Sequence, residues 1–157
     1  AQIFALGLSH RFVLSPSTRL ELHADLLGTV LASINSRLEF VEPPANEKDY
    51  RRWEYGPGLG ARAEALLLVG QNPVVQATYR YQWIHAANDT PENGGGADHD
   101  LQIASVRLRA PLGRGFGLGV DGDLFLRKSH YGNPLLVEGD DRVPQVRAYA
   151  TWRLGGF

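Results

Sequence analysis

The chain has 157 residues, enough for one domain, and sets 16 lysines and arginines against 17 aspartates and glutamates. That balance provides no basic field for a nucleic acid, and the absence of cysteine rules out disulfides and thiolate chemistry. Apolar residues make up 43%, yet the longest apolar run is Ala65 to Val69, far short of the roughly 20 residues that a spanning helix needs.

The apolarity lies instead in every second residue. From about Ile3 to Leu14, Phe4, Leu6, Leu8, Phe12 and Leu14 alternate with Ala5, Gly7, Ser9 and Arg11. Ser15-Pro16-Ser17 reads as a turn, because proline fixes φ and serine bonds back to the backbone. From Thr18 to Phe40 the even positions are mostly leucine, alanine, valine and isoleucine, while the odd ones include Arg19, Glu21, His23, Asp25, Arg37 and Glu39. A strand sends successive side chains to opposite faces, so this segment has one oily face and one charged face. Glu42 to Glu54, with Pro43-Pro44 and five charges from Glu47 to Arg52, reads as a polar loop.

The third segment, about Gly58 to Val69, sets Leu59, Ala61, Ala63, Ala65 and Leu67 against Arg62 and Glu64. After a turn at Gln71-Asn72-Pro73 the fourth, Val74 to about Ala86, sets Val75, Ala77, Tyr79, Tyr81 and Trp83 against Gln76, Thr78, Arg80 and Gln82. A flexible loop over 88–96 precedes the fifth, about Leu101 to Leu112, with Ser105, Arg107 and Arg109 on its polar side. Gly113-Arg114-Gly115 turns the chain into the sixth, where Leu118, Val120, Leu124 and Leu126 oppose Asp121, Asp123 and Arg127. A loop with Asn133-Pro134 and Glu138 to Asp141 leads to the seventh, where Val146, Ala148, Ala150, Trp152 and Leu154 oppose Arg147, Tyr149, Thr151 and Arg153.

The connections alternate between about three residues and ten or more, the habit of outer-membrane barrels with short periplasmic turns and long outer loops. The expected fold is therefore all-β: one transmembrane antiparallel up-and-down β-barrel domain over residues 1–157, with about seven visible strands. A soluble eight-stranded barrel would invert the pattern, with an apolar interior. Rows such as Tyr79-Tyr81-Trp83 and Trp152 resemble interfacial girdles.

The last strand ends Trp152-Arg153-Leu154-Gly155-Gly156-Phe157. It resembles the C-terminal signal of bacterial outer-membrane proteins, where a final aromatic residue is read by the barrel-insertion machinery. Phe157 stands one position out of step with Trp152 and Leu154, and a bulge at Gly155-Gly156 would restore the phase. The resemblance implies residence in the outer membrane, with the lipid bilayer and lipopolysaccharide as partners.

The first candidate constellation is the charged face, expected to line a lumen: Arg11, Arg19, Glu21, His23, Asp25, Arg37, Glu39, Arg62, Glu64, Arg80, Arg107, Arg109, Asp121, Asp123, Arg127, Arg147 and Arg153. Arginine and carboxylate neighbours across strands would satisfy one another. Because arginines outnumber acids there, a narrow anion-preferring pore is the sharper version of this reading.

The second constellation is Arg127 to Asn133, which includes Ser129 and His130. It is similar to the His-x-Ser-Asn stretch of outer-membrane lipid A deacylases, small barrels that use a histidine and a serine on acyl esters. His130 and Asn133 match; Gly132 stands where that family carries its serine, and Ser129 is expected on the opposite face. His10 and His85 are expected on outward faces, and His99 in a loop between Asp98 and Asp100. The run Glu138, Asp140, Asp141 is a weak candidate for a calcium ion bridging lipopolysaccharide phosphates. No phosphate loop or zinc motif is present, and no cofactor or resident metal is implied.

The expected function is a non-enzymatic envelope protein, a narrow channel or structural scaffold with an ion-paired, arginine-rich lumen. The alternative is a lipid-modifying hydrolase using His130. A last expectation concerns parity. Placing the short turns on the periplasmic side leaves the first visible strand descending, so a preceding strand or a second polypeptide is expected to complete an even-stranded barrel.

Overall fold

The computed structural model describes residues 3–38, 50–86, 96–113 and 115–152. These form seven strands: β1 (Ile3–Ser15), β2 (Thr18–Leu38), β3 (Tyr50–Val69), β4 (Asn72–Ala86), β5 (Ala97–Gly113), β6 (Phe116–Tyr131) and β7 (Gly139–Trp152). They lie in one sheet in chain order, every neighbouring pair antiparallel. Among the described residues there is no helix, and the sheet is not closed: β1 and β7 are each paired on one side only. The all-β, up-and-down, seven-stranded order is the one that the alternation implies.

Two turns are tight. Pro16 and Ser17 join β1 to β2, and Gly70 and Gln71 join β3 to β4. Gly70 sits at φ 65° and Gly115 at φ 80°, a region that glycine enters without a Cβ clash. The first two turns touch, the Gly70 N–H donating to the Ser17 carbonyl at 2.6 Å. Short connections thus gather at one end of the sheet, which we call the turn end; the other is the loop end.

Several boundaries differ from the sequence reading. Residues 50–54, read as loop, belong to β3, and β5 begins at Ala97, so His99 is a strand residue. Asp140 and Asp141 likewise fall in β7. Charge was taken as a mark of loop, but a strand that runs past the apolar band has no need of apolar side chains. Asn72 and Pro73 lie inside β4 and not in its turn; a register shift opposite Leu67 and Leu68 absorbs the donor that proline lacks.

The largest correction is in β2. Its register against β3 shifts between Thr29 and Ala32, so that Thr29 pairs with Gly58 and Ala32 with Gly56. One extra residue on β2 exposes both Val30 and Leu31 and returns Ala32, an even position, to the buried face. The face assignment drawn from Thr18 to Phe40 therefore holds only as far as Val30. The positions 39, 40, 153 and 157, and with them Glu39, Arg153 and the terminal Phe157, lie outside the described residues.

The two faces differ as the alternation requires. One carries Leu6, Leu8, Leu26, Leu59, Val120 and Val146, all exposed, with Leu8 at 84%. The other carries the charges and, at its loop end, the buried groups Leu27, Thr29, Gln82, Ile84, His99 and Ser129. Burial thus sits on the polar face of the sheet.

Candidate functional site

The polar face is built from rows of directly opposed residues. One row crosses all seven strands as Arg11, Glu21, Leu66, Gln76, Arg107, Asp121 and Arg147. The next toward the loop end runs Ser9, His23, Glu64, Thr78, Ser105, Asp123 and Gln145; the next begins Gly7, Asp25, Arg62, Arg80. Opposed residues in neighbouring strands have Cβ atoms roughly 5 Å apart, so charges of opposite sign meet without bending the backbone.

They do meet. The Arg11 Nε–H donates to Glu21 at 2.6 Å and the Arg62 Nε–H to Asp25 at 2.7 Å. The Arg127 Nε–H reaches Asp141 at 2.7 Å, and Arg147 donates to Asp123 at 3.2 Å. Neutral donors complete the acids: the Gln76 amide serves Glu64 at 2.8 Å, and the Tyr149 hydroxyl serves Asp121 at 3.2 Å. His23 Nε2 lies 3.9 Å from Glu21, and Arg80 donates to the Gln82 carbonyl oxygen at 2.7 Å. Arg19, Arg107 and Arg109 lie on the same face, opposite Leu68, Asp121 and Gly119 respectively.

These pairs are half open, with the Arg62 side chain 45% exposed and that of Asp25 15%. A double-mutant cycle on Asp25→Asn and Arg62→Gln is therefore expected to return a coupling of about 1 kcal/mol, measured by chemical unfolding.

Toward the loop end the same face turns from charged to closed. Gln82 reaches over β3 and donates through Nε2 to Thr29 Oγ1 on β2, at 2.9 Å. Beside this crossing stands Gly58, where a Cβ would lie 2.8 Å from the Trp83 carbonyl and 3.1 Å from Ile84. One row on, His99 Nδ1 and Ser129 Oγ are 2.9 Å apart and both side chains are fully buried, with the Tyr131 ring edge-on to the imidazole. Ala32, Ala86, Ala97 and Leu136 are buried as well.

This separates the sequence-derived candidates. Ser129 is buried on the polar face and is partnered by His99, which the loop assignment had hidden. His130 is on the opposite, exposed face, its Nδ1 3.1 Å from Glu138 Oε1. Asp98 stands opposite both His85 and His130 in the register and is 2.8 Å from His85 Nδ1. Asn133 Oδ1 accepts the Leu135 N–H at 2.9 Å, a local turn contact. Ser129 and His130 of the deacylase-like stretch thus lie on opposite faces of the sheet.

The acidic run is divided among separate partners. Glu138 faces His130, Asp140 faces Arg142 at 3.3 Å, and Asp141 faces Arg127. Flanking His99, Asp98 and Asp100 point the other way, Asp100 accepting from the Tyr81 hydroxyl. Among the described residues no group of three or more histidines and acids comes together for a metal ion.

The Gly56, Gly58, Gly60 alternation was the readable sign of the crossing, since small residues at every second position of a strand mark a close approach. Nothing of that kind announced the pairing of His99 with Ser129, which depends on where β5 begins. No protein-family model matches the chain, and neither a curated protein nor a solved structure is significantly similar to it.

Proposed function

We propose that the chain forms most of the wall of a bacterial outer-membrane β-barrel and acts as a structural, non-conducting envelope protein. The observation that carries this reading is the inverted distribution of burial: large apolar side chains are exposed on one face while charges pair on the other. In water such a face would be a liability, because soluble monomers rarely expose apolar patches beyond a few hundred Å². Against lipid it is the required surface.

The dimensions agree. On β6 the outward residues stay apolar or glycine from Phe116 to Leu126 and then become Lys128 and His130. Ten residue steps at about 3.3 Å, tilted by roughly 40°, give a band about 25 Å tall. Aromatic residues mark both borders: Phe116 stacked on Trp152 at the turn end, ring centroids 5.5 Å apart, and Tyr79, Tyr81 and Trp83 toward the loop end. Lipopolysaccharide and the insertion machinery are the partners this location implies.

The closed loop end of the polar face favours a scaffold over a channel. Planar-bilayer recordings of the refolded protein are expected to show no ion conductance, and Arg107→Glu or Arg109→Glu no selectivity change. Steady single-channel steps would reverse this reading.

The pairing of His130 with Glu138 favours a second reading, hydrolysis of lipid acyl esters, since a carboxylate at Nδ1 is how a general-base histidine is held. The neighbouring serine does not serve that pair: Ser129 is buried on the far face. Purified protein incubated with lipopolysaccharide or phospholipid is expected to release no fatty acid. Release abolished by His130→Ala would establish the enzyme instead.

A further inference from the structure

The direction of the two edge strands says how the sheet is completed. Six successive antiparallel pairings make β1 and β7 run the same way, so they cannot join in the antiparallel pattern that every other pair follows. A second copy inserted in the same orientation offers the same mismatch, its β7 meeting this β1 in parallel. An odd number of added strands removes the defect. We propose that β1 and β7 are docking edges for a single additional strand, antiparallel to both, which closes an eight-stranded barrel. The proposal rests on the membrane reading, because only in lipid must every edge backbone group be paired.

One strand is favoured over three or more by what is already buried on the polar face. Eight strands leave an interior just wide enough for side chains, and His99, Ser129 and Gln82 are packed out of solvent on that face at its loop end. The chemistry of the strand follows from its neighbours. β1 and β7 have 13 and 14 residues, which sets its length at about 13. Its outward residues meet Leu6, Leu8, Val146 and Ala148 and are apolar. Its inward residues face the largely exposed side chains of Arg11 and Arg147, at 60% and 57%, and include a carboxylate opposite each.

Backbone hydrogen exchange tests this without assuming a register. The chain is refolded in bilayers containing brominated lipid, and quenching of tryptophan fluorescence reports whether the apolar face meets acyl chains. A synthetic 13-residue peptide is added, with valine and leucine at alternate positions, serine between them and one inward aspartate near each end. The expected result is that amides on the outer edges of both β1 and β7 exchange at least about tenfold more slowly, while a scrambled peptide of the same composition has no effect. Protection of both edges before any peptide is added, protection of one edge only, or no protection despite bromine quenching would each overturn the proposal. Absence of quenching would instead remove the membrane reading on which it stands.

Discussion

An arginine in place of Val120 is expected to lower the unfolding free energy by about 2–4 kcal/mol when the protein is unfolded reversibly from lipid vesicles. Val120 lies near the middle of the apolar band on β6, between Leu108 of β5 and Ala148 of β7, and is 44% exposed. If that contact is lipid, the guanidinium must sit in hydrocarbon or drag water and headgroups toward it. If it is water, an exposed valine-to-arginine change on a strand stays within about 0.5 kcal/mol. Val137→Arg, in the segment joining β6 and β7 and similarly exposed at 42%, is the matched control and is expected to be neutral. A difference between the two sites of less than about 0.5 kcal/mol would be incompatible with a membrane-facing sheet.

Gly58→Val is the second large effect, expected to destabilise by about 1–3 kcal/mol in the same assay through overpacking. The nearest atom to an added Cβ is the Trp83 carbonyl oxygen at 2.8 Å, a backbone atom that cannot rotate aside, and the Gln82 amide follows at 3.4 Å. Valine therefore strains the β3–β4 pairing and displaces the amide from Thr29 Oγ1, leaving a buried hydroxyl without its donor. Gly28→Val provides the contrast, because an added Cβ there meets nothing within 4 Å. Its substitution is expected to be neutral or mildly stabilising, since a β-branched residue suits a strand better than glycine. Equal losses at the two glycines would show that the crossing by Gln82 contributes nothing.

The strands were legible because lipid-like segregation writes itself into sequence with a period of two. Leu6 and Leu8, or Leu118 and Val120, announce their face with no knowledge of their neighbours. Register is another matter. A bulge such as the one after Thr29 inserts a single residue between two regular halves, and Val30 and Leu31 look no different from the leucines around them. The reading of His99 as loop failed for a related reason: its neighbours Asp98 and Asp100 are charged because β5 has left the apolar band there, not because the strand has ended. Ion pairs such as Asp25 with Arg62 were foreseen as a class, yet which arginine meets which acid depends on cross-strand offsets that no single segment contains. The alternation separates Ser129 from His130 on sight, but the histidine that Ser129 does meet comes from 30 positions away.

That every strand is paired through its backbone only with its neighbours in the chain also determines how the sheet can come into being. The pairs β1–β2, β3–β4 and β5–β6 are joined by the shortest connections, so each closes with little loss of chain entropy, on the microsecond scale of isolated hairpins. The remaining pairings bring together units that are already formed, and none requires a distant segment to be found first. A finished hairpin already has one oily side and one side on which charges such as Arg11 and Glu21 cancel, and the hairpin is thus the smallest piece of this chain that carries both faces of the whole sheet.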